Sequence, residues 1–134
     1  MHKRLLIIGA ISGAISVALG AFGAHSLKEM VDADSVSTFD TGVRYQFYHT
    51  FAILIAAIMH QAFAPAYMRI SAYLFLTGIV LFSGSLYLLT LLKATETVGL
   101  RGIGIITPIG GLFFIAGWIT MVMGIRLKTR RSIE

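Results

Sequence analysis

A set of polar and charged side chains lies beside or inside the long apolar stretches of this sequence. Imidazole, guanidinium, amide and hydroxyl groups can bind an anion, move a proton or form hydrogen bonds between helices. Because such groups are costly in an apolar surrounding, they tend to mark functional sites. The candidate binding residues are His25, Arg44, Gln46, His49, Ser83, Ser85, Tyr87, Arg101 and Thr107.

Catalytic and metal chemistry find little support in the same residues. His49 and His60 share a face of one predicted helix, but a helix places them about 16 Å apart, too far for one ion. His25 and His49 lack a placed carboxylate, and the chain has no cysteine, so they would make a weak zinc site. The sequence shows no serine–histidine–aspartate arrangement, HExxH helix or phosphate loop. We therefore predict no catalytic residue, no metal and no cofactor.

Each candidate residue also has an ordinary structural interpretation. Arg44 lies four residues after Asp40, a spacing typical of a solvated ion pair. Tyrosines near the ends of membrane helices often belong to an aromatic belt, and serines often bond to a neighbouring helix. For His25 and His49 the leading interpretation is interhelical hydrogen bonding, followed by a ligand or proton site and then by plain exposure.

The elements that must position these residues are long apolar segments. The chain is 57% hydrophobic and 13% charged, and its mean hydropathy is +0.84. A helix of about 20 apolar residues crosses a hydrocarbon layer of about 30 Å. The sequence therefore predicts an all-α membrane protein with one domain over residues 1–134 and an outer loop over 26–44. Its four predicted spans cover approximately residues 5–24, 45–64, 70–92 and 102–125.

The positions of the basic residues predict an orientation. Lysines and arginines concentrate near the N-terminus, around residue 69 and near the C-terminus. By the positive-inside rule both termini face the cytoplasm. The net charge of +5 then serves orientation and contact with anionic lipid rather than nucleic-acid binding.

Small residues form rows in the first and fourth spans. In the first they recur at steps of 4, 3, 4 and 3, and in the fourth at intervals of seven. Lipid provides no hydrophobic reason for helices to associate, so close approach across small residues must supply the packing. We expect each row to pack against another helix, the two rows against each other being one option, and Gly13→Leu to break the packing. The packing residues are Gly9, Gly13, Ser16, Gly20, Gly23, Gly110, Gly117 and Gly124.

Two helix starts are readable from local patterns. Thr107 followed by Pro108 predicts a cap and a first helical residue, so the favoured interpretation starts the fourth helix near Pro108. The alternative starts it near Gly102 and kinks it at Pro108. Before the second span, apolar residues at helical spacing predict a short interfacial helix, with Asp34 or Ser35 as its cap.

Threading the chain through four spans places the candidate binding residues at the outer end of the bundle. The amino end of helix four, with Arg101 beside it, would attract a phosphate or a carboxylate. At that depth the expected anion is a lipid headgroup, and Arg101→Ala should weaken retention of anionic lipid.

Four strings of the sequence resemble one known family. GAFGAH (20–25), YQFYHT (45–50), LFSGSLYLL (81–89) and ITPIGG (106–111) are similar to the small bacterial membrane proteins grouped as domain of unknown function 423, related to eukaryotic transmembrane protein 256. The resemblance covers essentially the whole chain. It implies a multi-pass protein with four helices in the bacterial cytoplasmic (inner) membrane, and it transfers no catalytic residue.

Two function classes follow. The first is a non-enzymatic bundle that binds membrane lipids, or a protein partner that is either a second copy of the chain or another membrane protein. The alternative is a small transporter or pore subunit for a small solute or ion. The predicted spans contain no carboxylate for ion coupling, which favours the first class.

Overall fold

The computed structural model describes residues 1–95 and 102–131, with side chains up to residue 127, and all regular structure in these ranges is helical. Helix α1 covers Lys3–Ala24 and is followed by a 3-10 turn, Ser26–Glu29. The remaining helices are α2 (Ala33–Met59), α3 (Pro65–Gly78), α4 (Gly84–Ala94) and α5 (Ile103–Arg131), with a π-helical turn, Ile79–Ser83, between α3 and α4. Helix α3, the π turn and α4 follow one another without a break, and we call them together the third rod.

Three segments are long and apolar enough to cross a membrane: Lys3–Glu29, Pro65–Ala94 and Ile103–Leu127. This confirms an all-helical protein with membrane-spanning helices. Helix α2 is not among the three, because Gln46, His49 and Thr50 interrupt its apolar part. Those three side chains are buried, so these polar groups of α2 face protein. A membrane crossing by α2 stays a prediction, as does the orientation of the termini.

Helix α2 lies at the centre of the bundle. It packs against α1 on one side and against the third rod on the other, while α5 packs mainly against α3. The backbone N–H of His2 donates to Ala57 O at 2.9 Å, and that of Ala64 donates to Gly124 O at 3.4 Å. The start of α1, the turn between α2 and α3, and the last turns of α5 therefore share one end, here called the termini end. The opposite end, which carries residues 25–33, is called the loop end.

Some glycines of α1 and α5 lie close to side chains of a neighbouring helix. A Cβ atom built on Gly9 would lie 2.6 Å from Leu54 Cδ2, and one on Gly117 would lie 2.6 Å from the Phe75 ring. At Gly13 the nearest atom, Thr50 Cγ2, would be 3.5 Å away, which is ordinary contact. The closest contacts between helices therefore involve glycines other than Gly13. The main partner of α1 is α2 and that of α5 is α3, rather than each other.

The second helix starts earlier than the sequence patterns predict. Asp32 is its cap, because the Asp32 carboxylate accepts the backbone N–H of Ser35 at 2.9 Å and the Ser35 hydroxyl at 2.9 Å. The prediction of Asp34 or Ser35 as the cap is therefore wrong. Since α2 runs unbroken to Met59, Gln46 and His49 lie near the middle of this helix instead of at its outer end.

The favoured start of the last helix is also wrong. Helix α5 begins at Ile103 and contains Pro108 in its interior, as in the alternative interpretation. The Thr107 hydroxyl pairs with Ser85 Oγ at 2.6 Å rather than capping a helix. Residue 104, whose carbonyl the proline ring approaches, is a glycine. A contact between helices thus overrides the local Thr-Pro signal.

The Asp32 cap predicts an acid-sensitive helix start. Accepting the Ser35 backbone N–H lowers the pKa of Asp32 below its ordinary value of 3.8. Because the folded pKa is depressed, the contribution of the cap is complete above that ordinary value and is lost as the pH falls through the folded pKa. We expect hydrogen exchange over residues 33–36 to accelerate on acidification relative to Asp32→Asn, which caps without titrating. Equal pH profiles in the two proteins would contradict this assignment.

Candidate functional site

A chain of hydrogen bonds joins α1, α2 and α4 through the buried middle of the bundle. Ser12 Oγ and Thr50 Oγ1 are 2.7 Å apart. Gln46 Nε2 donates to Ser12 O at 3.2 Å, and Tyr87 Oη donates to Gln46 Oε1 at 2.8 Å. Gln46 therefore uses both ends of its amide and bridges two neighbouring helices.

His49 makes the corresponding link from α2 to α5. Its Nδ1 lies 2.8 Å from Tyr45 O, and Trp118 Nε1 donates to its Nε2 at 3.3 Å. A carbonyl only accepts and an indole N–H only donates, so these partners assign the hydrogen to Nδ1 and a neutral ring. The ring also stacks on Phe114, with centroids 3.5 Å apart and planes 5° apart.

Further hydroxyl groups tie α5 and α2 to the third rod. Ser71 Oγ donates to Gly117 O at 2.8 Å, and Thr90 Oγ1 donates to Ser35 O at 3.3 Å. Ser85 pairs with Thr107 and also donates to Phe82 O at 2.8 Å. Hydrogen bonds of this kind are a main source of helix association in lipid.

The hydroxyl of Ser83 is an exception within the part of the chain that the structure describes. It is fully buried and makes no hydrogen bond of good geometry, although the Tyr87 hydroxyl lies nearby. Ser83 ends the π turn Ile79–Ser83, where the wider turn changes the usual helical pairing of backbone groups. Such turns are frequent at functional sites. The sequence around Ser83 does not predict a π turn.

The structure brings three pairs of predicted residues and partners together: Gln46 with Tyr87, Ser85 with Thr107, and His49 with Trp118. It places two others apart from these pairs. His25 is exposed, and its Nδ1 lies 3.0 Å from Ala21 O of its own helix. Arg44 forms an exposed ion pair with Asp40, with Nε and Oδ2 at 3.2 Å. Arg101 lies outside the described residues.

Several members of this network were not predicted from the sequence. Ser12 lies one helical turn before Ser16 on the same face of α1, and Thr50 directly follows His49. Trp118 is the single tryptophan of the chain and follows Gly117. An indole N–H in apolar surroundings requires an acceptor, so the single tryptophan predicts a hydrogen bond. The sequence does not show that His49 is the acceptor.

A cleft between α1 and α2 opens at the loop end. It has a volume of about 410 Å³, and its lining includes Gly20 and Gly23 of α1, Phe39 and Val43 of α2, and the charged Lys28 and Asp40. Gly20 leaves room beside Val43, whereas Phe39 packs closely against Gly23. We call this feature the loop-end cleft.

Metal binding gains no support from the described residues, since none of their histidine, aspartate and glutamate side chains form a group of three that could hold an ion. The buried donors and acceptors instead pair with one another across helices. The chemistry that this interior supports is hydrogen bonding between helices.

Comparison with known proteins places the chain in one family. The family described as "Protein of unknown function (DUF423)" matches residues 19–111. The UPF0382 inner membrane protein YgdD of Escherichia coli K12 is 45% identical over 129 residues, which cover 96% of this chain and 94% of the relative. A UPF0382 membrane protein of Haemophilus influenzae is 42% identical over 127 residues, covering 92% and 94%. No solved structure matches the chain. The chain therefore belongs to the DUF423 family, an uncharacterised family whose relatives in these two bacteria are named as membrane proteins.

Proposed function

We propose that this protein is a non-enzymatic lipid-binding bundle of the bacterial cytoplasmic membrane, with both termini on the cytoplasmic side. The observation that carries the proposal is the loop-end cleft. Its lining combines apolar side chains, such as Val36, Phe39 and Val43, with Ser37 and the charged Lys28 and Asp40. A phospholipid likewise combines an apolar acyl chain with a polar headgroup.

The cleft fits this ligand in two parts. A Cβ atom on Gly20 would make only ordinary contact with Val43, at 3.5 Å, whereas the Phe39 ring already fills the space beside Gly23. The surface around Gly20 and Val43 is therefore the part of the cleft against which an acyl chain would pack. Lys28 and Asp40 are the charged residues of the lining, and the Asp40 carboxylate is paired with Arg44. Lys28 is the cation of the lining that would hold the phosphate of the headgroup.

The interior supports binding at the surface over transport through the bundle. Ser12, Gln46, His49 and Thr50 are buried and satisfy one another or neighbouring groups. Within the described residues every carboxylate is exposed, namely Glu29, Asp32, Asp34 and Asp40. An exposed carboxylate does not provide the intramembrane acid that ion coupling commonly uses. A protein partner at the same cleft is an alternative occupant that the following experiment tests.

Lys28→Gln and Gly20→Leu should both lower the amount of phospholipid retained by the purified protein. The first removes a headgroup contact, with an expected loss of about fivefold in affinity, and the second fills the apolar part of the cleft. Native mass spectrometry of the intact protein in mild detergent measures the bound lipid and the copy number together.

Matched controls lie outside the cleft at the same end. Lys93→Gln removes an equivalent exposed charge, and Gly104→Leu adds the same side chain where a Cβ meets nothing within 4 Å. Equal lipid retention in Lys28→Gln, Gly20→Leu and both controls would refute lipid binding in this cleft. A bound protein or a second copy lost only in the cleft variants would identify a protein occupant instead.

A further inference from the structure

A second cleft lies at the termini end, on the opposite side of the bundle from the loop-end cleft. It has a volume of about 410 Å³, within the usual range for ligand sites, and forms where α1 begins, α2 ends and α3 begins. Its lining combines residues near the N-terminus with residues around the turn between α2 and α3: His2, Lys3, Arg4, His60, Gln61 and Pro65. We call it the termini-end cleft.

The walls of this cleft are fixed by contacts between α1 and α2. The His2 backbone N–H donates to Ala57 O at 2.9 Å, and the His2 and His60 rings meet edge to face with centroids 5.0 Å apart. His2 Nδ1 accepts the backbone N–H of Leu5 at 3.4 Å. Because Nδ1 acts as the acceptor, Nε2 carries the hydrogen in the neutral ring and is a donor.

The charged side chains among the described residues that line this cleft are basic. Lys3 and Arg4 are cations, His2 contributes a ring N–H donor, and none of the described residues that line the cleft is acidic. Two helices, α1 and α3, also begin here, so the positive ends of two helix dipoles point to the same place. The opposing end of α2 is partly satisfied, since Met59 O accepts the backbone N–H groups of Ala62 and Phe63 at 3.0 Å each.

We propose that the termini-end cleft binds a phosphate group, carried either by an anionic phospholipid or by a small soluble phosphate. The site is separate from the loop-end cleft and does not depend on the proposed function. Its basic side chains also contribute to membrane orientation. If these residues served only membrane orientation, every basic residue at the termini end would contribute alike. If they form a binding site, the residues that line the cleft would matter more for binding than the other basic residues.

Arg4 and Arg126 provide the matched pair that separates these two roles. Arg126 is exposed near the end of α5, at the termini end because Ala64 bonds to Gly124 O, and it does not line the cleft. Arg4→Gln should weaken binding of phosphatidylglycerol by about tenfold, as expected for loss of a charge-assisted hydrogen bond. Arg126→Gln should weaken it by no more than about twofold. Native mass spectrometry of delipidated full-length protein, titrated with phosphatidylglycerol or phosphatidylethanolamine, measures both.

Thermal unfolding with inorganic phosphate distinguishes the two sources. If inorganic phosphate alone stabilises the wild type but not Arg4→Gln, a soluble anion binds in the cleft. If phosphate has no effect and the protein prefers phosphatidylglycerol, the ligand is a lipid headgroup. Equal weakening by Arg4→Gln and Arg126→Gln would overturn the proposal, as would equal affinity for the two lipids without a phosphate effect. If Arg4→Gln does not fold, His60→Gln replaces it. A single cysteine introduced into this cysteine-free chain checks that each variant keeps its orientation.

Discussion

Gly110→Ala should destabilise the bundle by about 3 kcal/mol, the upper part of the usual range for overpacking. A Cβ atom on Gly110 would collide with the backbone N of Phe82 and lie 2.8 Å from Phe82 Cα. A flexible side chain can move away from such a collision, but the backbone of the third rod moves only if α5 moves with it. The midpoint of thermal unfolding in detergent measures the loss, with the fluorescence of Trp118 as the signal.

The adjacent glycine is the control. At Gly111 the nearest atom to an added Cβ is Phe82 Cδ2 at 3.9 Å, so Gly111→Ala makes only an ordinary contact. Since alanine is a better helix former than glycine by about 1 kcal/mol, this variant should be neutral or more stable. Similar losses in the two variants would contradict the assignment of the effect to close approach between α5 and the third rod. Opposite signs would support the prediction that Gly110 packs against another helix.

The sequence is most informative about features that extend over many residues, such as long apolar segments. Apolar length predicts four membrane spans, and three segments of the structure are long and apolar enough to cross a membrane. It is least informative where a side chain can form a hydrogen bond either within its own helix or with a second helix. Thr107 has the pattern of a cap, but its hydroxyl bonds to Ser85 of another helix, and no local rule can include that partner.

The candidate site shows the same division. Gln46, His49 and Tyr87 stand out as polar residues in apolar surroundings, and all three form hydrogen bonds between helices. Their partners depend on the register of helices that are distant in sequence: 69 positions separate His49 from Trp118. A single sequence contains the donors and acceptors, but the register that pairs them arises only from the packed bundle.

His49→Ala should destabilise the protein by about 3 kcal/mol, as for loss of a large buried ring. The substitution empties the space against Phe114, where the ring centroids are 3.5 Å apart. It also leaves the Trp118 indole N–H without its acceptor. Thermal unfolding in detergent measures the change, and the emission wavelength of the single tryptophan reports its altered surroundings independently.

His49→Phe separates the two contributions. Phenylalanine keeps a flat ring against Phe114 but cannot accept from Trp118 or donate to Tyr45 O, so the expected loss is about 1 kcal/mol, near the size of a hydrogen bond between membrane helices. A loss in His49→Phe as large as that in His49→Ala would instead assign most of the stabilisation to the hydrogen bonds. In that case α5 would be held to α2 through the neutral imidazole, and ring packing would be secondary.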